Sequence, residues 1–374
     1  MHPTDPKDSP ASQAADAASA PARQPYRWTP ARIVIGCVLV LGMVIPMGYL
    51  VMRELGYHAS AVLPFASAQS RPGEGAQGAS PLNQFDTSDL RVDQSKILSG
   101  GPPKDGIPAI TDPSLISAED ADYLSDESRV VSVTVEDKTR AYPLNILNWH
   151  EIINDELGGV PIAVVYCPLC DSVSVVDRRL AGKTLEFGVS GLLMNSNVLL
   201  YDRTDESLWS QVGLTAISGP HAGESLRHLD SWAIVAFDPW KRKHPDGRVV
   251  SADTGHRRDY RRNPYGQYFA NDQTMFPVSP TDDRYPNKMR VIGVQHGDAV
   301  RAYPLQAVRE ATEGRLSDTI NGEPLVLQTQ PGTGNVSVVE APKDAAVVHT
   351  FWFAWYAFHP NTQVFDAQAV AQGS

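Results

Sequence analysis

Residues 140–176 read RAYPLNILNWHEIINDELGGVPIAVVYCPLCDSVSVV, and the opening five residues, RAYPL, return at 301–305. The stretch changes period twice. Apolar residues at helical spacing follow Pro143, which suits a first helical turn, so a short helix is predicted over 144–153. The run IAVVY (162–166) then reads as a buried strand, and SVSVV (172–176) as an alternating one. Similar runs predict strands at 130–135, 198–201, 291–294 and 325–328. Each RAYPL is followed by Gly-x-Pro and an apolar strand: Gly159-Val160-Pro161 before IAVVY, and Gly322-Glu323-Pro324 before LVLQT. Further on, the pattern Trp240…His244-Pro245 recurs as Trp355…His359-Pro360. The shared order predicts an internally duplicated unit, repeat A at about 130–250 and repeat B at about 290–365. The first copy carries an insertion that includes 187–211. Short strands, many Gly and Pro, and few helical periods predict a mainly β, mixed α+β fold.

Outward from the repeats, turn chemistry at Gly100-Gly101-Pro102-Pro103 marks the beginning of a folded region near Asp93, giving a domain over 93–374. Residues 53–92 are poor in large apolar groups and read as a flexible tether. From Ile33 to Met52 there are twenty residues without a charge, enough at helical rise to cross roughly 30 Å of hydrocarbon. Arg23, Arg27 and Arg32 precede the run, while Arg53 and Glu54 cancel after it. The positive-inside rule therefore predicts a single-pass transmembrane helix with a disordered cytoplasmic tail over 1–32 and a periplasmic or extracellular C-terminal domain. The rival is a cleaved signal peptide ending near Ala66-Ser67-Ala68, which lies far beyond the apolar run. Of the three cysteines, Cys37 falls inside this run and reads as a small packing residue.

The chain has 374 residues, 42% of them hydrophobic, and a net charge of −11. A sizeable core can be buried, and the acidic balance argues against nucleic acid as a partner. The expected partners are the membrane, through the N-terminal helix, and an unidentified small molecule or redox protein.

The stretches GGPPKDGIP (100–108), AYPLNILNWHEIIND (141–155), YCPLC (166–170), FGVSGLLMNSNVLLYDR (187–203), LWSQ (208–211), DTGH (253–256), RNPYGQYF (262–269) and FWFAWYAFHP (351–360) resemble the prokaryotic family catalogued as domain of unknown function 3179. The resemblance covers residues from about 100 to 365. It implies a shared fold and carries no activity with it.

The sharpest chemical candidate is Cys167-Pro168-Leu169-Cys170, flanked by strands on both sides. Two thiolates at this spacing converge on one ion in metal knuckles. No second pair exists, so His150, His256 and the optional thioether of Met194 are the expected further ligands, with His221 also near in sequence. Soft sulfurs and imidazole favour copper, then zinc. A structural disulfide and a redox pair are the other two chemistries open to these cysteines. His150 falls on the apolar face of the predicted helix and reads equally as a hydrogen-bonded core residue. The second copy has Ala311, Gln330 and Thr333 where the first has His150, Cys167 and Cys170, consistent with a single site in the first half. His244 and His359 occur in both copies and read as structural.

A second function class, a non-catalytic binding module, comes from the segment after His256, where arginines interleave with aromatic rings. Arg258, Tyr260, Arg262 and Tyr265 are the expected grips for an anionic or sugar ligand. Ser190 lacks a nucleophile-elbow spacing. Asp202, Arg203, Trp209 and Gln211 are expected to form a polar network beneath the cysteine site.

Overall fold

A computed structural model of the chain describes residues 80–213, 215–229, 231–330, 335–343 and 345–365. The apolar run 33–52, the segment before it and the tether as far as residue 79 lie outside the described residues. Among those described, no helix is long and apolar enough to cross a membrane. The described region is mainly β with a few short helices, the class expected.

The first half opens with the hairpin β1 (Arg129–Val135) and β2 (Lys138–Pro143), followed by helix α1 (Leu144–His150). The helix stops three residues earlier than the apolar period predicts. Glu151 takes left-handed angles, φ 58 and ψ −33, and turns the chain into β3 (Ile152–Leu157). Once extended, successive side chains face opposite ways. Ile152 joins the core around Cys167 and Cys170, while Ile153 joins the core that contains Tyr142 and Ile146. The next strand, β4 (Val160–Cys167), repeats the split: Ile162, Val164 and Tyr166 point one way, Ala163, Val165 and Cys167 the other. Burial on both faces is why this strand reads as a continuous apolar run. β5 (Ser172–Asp177) completes the meander.

Next come β6 (Phe187–Met194), β7 (Asn197–Asp202) and β8 (Leu208–Ser210), which with Ile97–Ser99 form a separate four-stranded sheet. Leu82 and Phe85 are buried in the core of this sheet, so packing begins upstream of Asp93. β9 (Trp232–Ala236), α2 (Phe237–Lys243) and β10 (Arg248–Val250) close the first half.

The second half runs through β11 (Arg290–His296), β12 (Ala299–Pro304), α3 (Leu305–Glu310), β13 (Arg315–Ile320), β14 (Glu323–Thr329), β15 (Val336–Glu340), β16 (Ala346–Phe351), α4 (Trp352–Phe358) and β17 (Gln363–Val364). Its pairings follow those of the first half. β9 pairs antiparallel with β1, β1 with β2, and β2 parallel with β10; β16, β11, β12 and β17 pair in the same three ways. Both meanders turn through two residues at positive φ, Gly158-Gly159 and Asn321-Gly322, the geometry of a type I′ hairpin. In each half the RAYPL arginine and tyrosine grip one aspartate: Arg140 and Tyr142 hold Asp155, Arg301 and Tyr303 hold Asp318.

β3, β4 and β5 join β16, β11, β12 and β17 in one eight-stranded sheet, with Ile110–Thr111 at its outer edge. At the seam between β5 and β16 a single register pair forms, Val173 opposite His349. Beside it, Asp171 accepts hydrogen bonds from Arg129 Nη1 (2.8 Å), Arg290 Nε (2.6 Å) and the Tyr166 hydroxyl (2.9 Å).

Candidate functional site

β4 delivers Cys167 to the end of the sheet, and a turn closed by Cys170 N–H on the Cys167 carbonyl (3.2 Å) brings Cys170 back beside it. Both are free thiols, 1% and 0% exposed. They are not joined in the disulfide considered from sequence. Both sulfurs face the Ser196 carbonyl at the β6–β7 turn, Cys170 Sγ at 3.2 Å and Cys167 Sγ at 3.9 Å. The inserted hairpin thus seals the pair from water.

The two thiols are electrostatically unequal. Burial pushes Cys167 up, but a hydrogen bond with Cys170 and the backbone N–H groups of Val198, Cys170 and Leu169 bring it below its usual value. Burial, then the hydrogen bond with Cys167 and the Cys167 charge, push Cys170 well above its own. Burial likewise pushes the Glu151 carboxyl well above the carboxylate range, with the Cys167 charge adding to the shift. Burial and then the charges of Glu151 and Cys167 push Tyr265 up, burial and then those of Cys170 and Cys167 push Tyr268 up, and the Tyr268 hydroxyl donates to the Leu169 carbonyl at 2.8 Å. Under Cys170 the Asn197 amide donates to Gln211 Oε1 (2.7 Å), which also accepts from Ser172 (2.7 Å). The expected network is not formed as one: Gln211 bonds to Ser172, Ser174 and Asn197, while Trp209 Nε1 donates to Asp202 Oδ2 at 3.0 Å. Arg203 lies outside both groups, paired with Asp105. Glu151 and Tyr268 were not among the expected site residues; an acidic residue set between His150 and Ile152 was the available signal for the first.

The imidazoles do not join the sulfurs. His150 is fully buried, and both ring nitrogens are engaged. Nδ1 donates to the Pro108 carbonyl at 2.7 Å, and Nε2 accepts from the Tyr260 hydroxyl at 2.6 Å. His256 is exposed, its ring 5.3 Å from that of His150. Met194 packs with Leu82, Phe85 and Ile97, in a different core from the cysteines. Among the described residues, the group of three or more His, Cys, Asp or Glu ligand atoms lying within 4.8 Å of one another is Asp202, Asp205 and His221, and neither cysteine is in it. His150 lies on the inward face of a helix, as expected, and there a hydroxyl and a carbonyl satisfy it.

The Arg/Tyr segment divides by side chain. Arg258 and Arg262 are exposed, whereas Tyr260 and Tyr265 are each 4% exposed and serve the core. The tyrosines are fixed inward by hydrogen bonding and apolar contact, so they do not line a surface with the arginines. Ser190 is buried, donating to the Leu199 carbonyl and accepting from Leu192 N–H, a structural role.

Burial holds His150 and His349 near a pKa of about 4, below the ordinary 6.5. Their neutral forms are thus the folded ones. Stability is complete above pH 6.5 and falls as the unfolded chain takes up protons down to about pH 4. Each histidine contributes about 1.4 kcal/mol per pH unit in that window. Urea midpoints measured across this range should fall with acidification, and a flat profile would contradict the assignment.

A family model described as "Protein of unknown function (DUF3179)" matches residues 104–348. No curated protein and no solved structure matches the chain.

Proposed function

This chain belongs to the DUF3179 family of proteins of unknown function, and we propose that it is a membrane-tethered, extracytoplasmic protein holding Cu(I) between Cys167 and Cys170. The observation that carries the reading is the pair of free, sealed thiols in contact with each other, one of them drawn below its ordinary pKa by the other thiol and by surrounding N–H groups. Soft thiolates select Cu(I), which is satisfied by as few as two of them. Zn²⁺, the second choice, needs four ligands in a structural site, and the described residues bring no third Cys, His or carboxylate into such a group. Dithiol exchange with another protein requires an exposed attacking sulfur, and neither is exposed.

The apolar run 33–52 with its flanking arginines supports the tether and the outward-facing domain. The matched pairings of the two halves support a duplicated unit, with the insertion and the dithiol confined to the first copy. Gln330 stands in the second half where Cys167 stands in the first.

The test uses the full chain, purified in detergent without oxygen and titrated with Cu(I) against a chromophoric Cu(I) chelator. About one Cu(I) per chain is expected. Cys167→Ser and Cys170→Ser, each checked for an unchanged circular dichroism spectrum, should weaken binding at least about 100-fold. A wild type that takes no Cu(I) from the chelator, or folded serine variants that bind as tightly, would end the reading.

A further inference from the structure

We propose that Asp202, Asp205 and His221 form a second metal centre, for a divalent cation of the Zn²⁺ type, independent of the dithiol. The three come from one corner of the inserted sheet. Asp202 ends β7, Asp205 sits in the turn before β8, and His221 lies on the loop after β8. One ligand atom from each lies within 4.8 Å of the other two. His221 is 8% exposed. Its Nε2 is buried and makes no hydrogen bond, although it lies 3.2 Å from Asp205 Oδ2. A polar atom sealed from water without a hydrogen bond is unfavourable. A bound cation removes that cost, because the lone pair becomes a ligand.

The surroundings are those of a prepared site. The buried Asp202 accepts from Trp209 Nε1 at 3.0 Å through Oδ2, and from Thr204 and Asp205 N–H, both at 3.1 Å, through Oδ1. Ser207 Oγ donates to Asp205 Oδ1 at 3.0 Å, which leaves Oδ2 turned towards His221. Hydrogen bonds of this kind orient ligating carboxylates. The Trp209 ring lies 5.9 Å from the imidazole and walls the inner side. The Asp205 side chain is 21% exposed, so one side opens to solvent and a fourth ligand can be water. Two carboxylates neutralise a divalent charge, and an imidazole nitrogen selects Zn²⁺ over Mg²⁺ or Ca²⁺. An ion pair between a protonated His221 and Asp205 would satisfy the charge, but it would place a proton on Nε2 and leave it without a hydrogen bond.

The experiment titrates Co²⁺, a coloured stand-in for Zn²⁺, into the full chain carrying Cys167→Ser and Cys170→Ser after chelator treatment. About one Co²⁺ per chain is expected, with visible ligand-field absorption and no thiolate-to-cobalt band. Zn²⁺ should displace it. His221→Gln and Asp205→Asn should each weaken binding at least about tenfold. Failure to bind Co²⁺, or undiminished binding by His221→Gln, overturns the proposal. Should the double serine variant not fold, the wild type gives the same decision. Ligand-field absorption without a thiolate band supports this centre, and a thiolate band alone refutes it. Loss of the Cu(I) result with the Co²⁺ result intact would sink the dithiol reading and leave this one standing.

Discussion

Asp171→Ala should lower the unfolding free energy by about 3 kcal/mol at pH 7. The Asp171 side chain is 1% exposed and takes two guanidiniums and a phenol. The guanidiniums come from equivalent places, since Arg129 opens β1 and Arg290 opens β11. Removing the carboxylate leaves two like charges facing each other, with the Tyr166 hydroxyl unpaired. The value sits at the low end of the range for broken buried pairs because the Arg290 side chain is 45% exposed and can turn to water. Burial pushes the Asp171 carboxyl up, but the charges of Arg129 and Arg290 hold it below its ordinary 3.8. The clamp is therefore complete above about pH 4 and is lost as pH falls through the lower folded value. That loss comes at more acidic pH than the one from His150 and His349, so acid unfolding of the wild type should show two successive declines, the second smaller in Asp171→Ala, where Asp177 and other low carboxylates still contribute to it. Urea melts at pH 7 decide the first point: a loss below about 1 kcal/mol would mean that other contacts hold the seam.

Gly293→Ala should cost about 3 kcal/mol, the upper end for overpacking. A Cβ built at Gly293 would lie 2.2 Å from the Trp355 ring. The ring has no room to retreat. It is 1% exposed, its Nε1 donates to Thr362 Oγ1 at 2.9 Å, and the His359 ring packs against it, tilted by 35° with centroids 4.0 Å apart. The corresponding position in the first half is Ser132, where the hydroxyl accepts from Trp240 Nε1 at 2.9 Å. Each half thus places a tryptophan over its central strand. The first meets the strand through a hydrogen bond, and the second lies flat on a glycine. Gly293→Ser should for that reason be no milder than Gly293→Ala. At roughly 2–4 °C per kcal/mol for a domain of this size, Tm should fall by about 6–12 °C. A fall under about 2 °C would mean that the α4 ring shifts freely.

These two positions also show what the sequence carries openly and what it hides. The RAYPL repeat is legible because the same residues do the same job twice, each arginine and tyrosine holding an aspartate on the next strand. Apolar runs such as IAVVY announce their strands because both faces are buried. The end of α1 is not legible from apolar spacing: residues 152 and 153 suit either a helix or a strand, and the left-handed Glu151 decides between them. Packing of Leu82 and Phe85 escapes detection because two apolar residues in short turns have no period. At the site, the cysteine spacing is visible in the chain. The partners of His150 and the gathering of Asp202, Asp205 and His221 are fixed by distant backbone, so nearness in sequence favoured His150 and His256 instead.

The eight-stranded sheet ends on strands only two residues long, Ile110–Thr111 on one side and Gln363–Val364 on the other. A stray β-segment extends a sheet by copying a long row of free amides and carbonyls along its rim. Here the rim at each side is too short to template such growth. Neighbouring copies crowded on one surface would find no β-ladder to continue at either end of this sheet, which closes that route to fibre-like stacking.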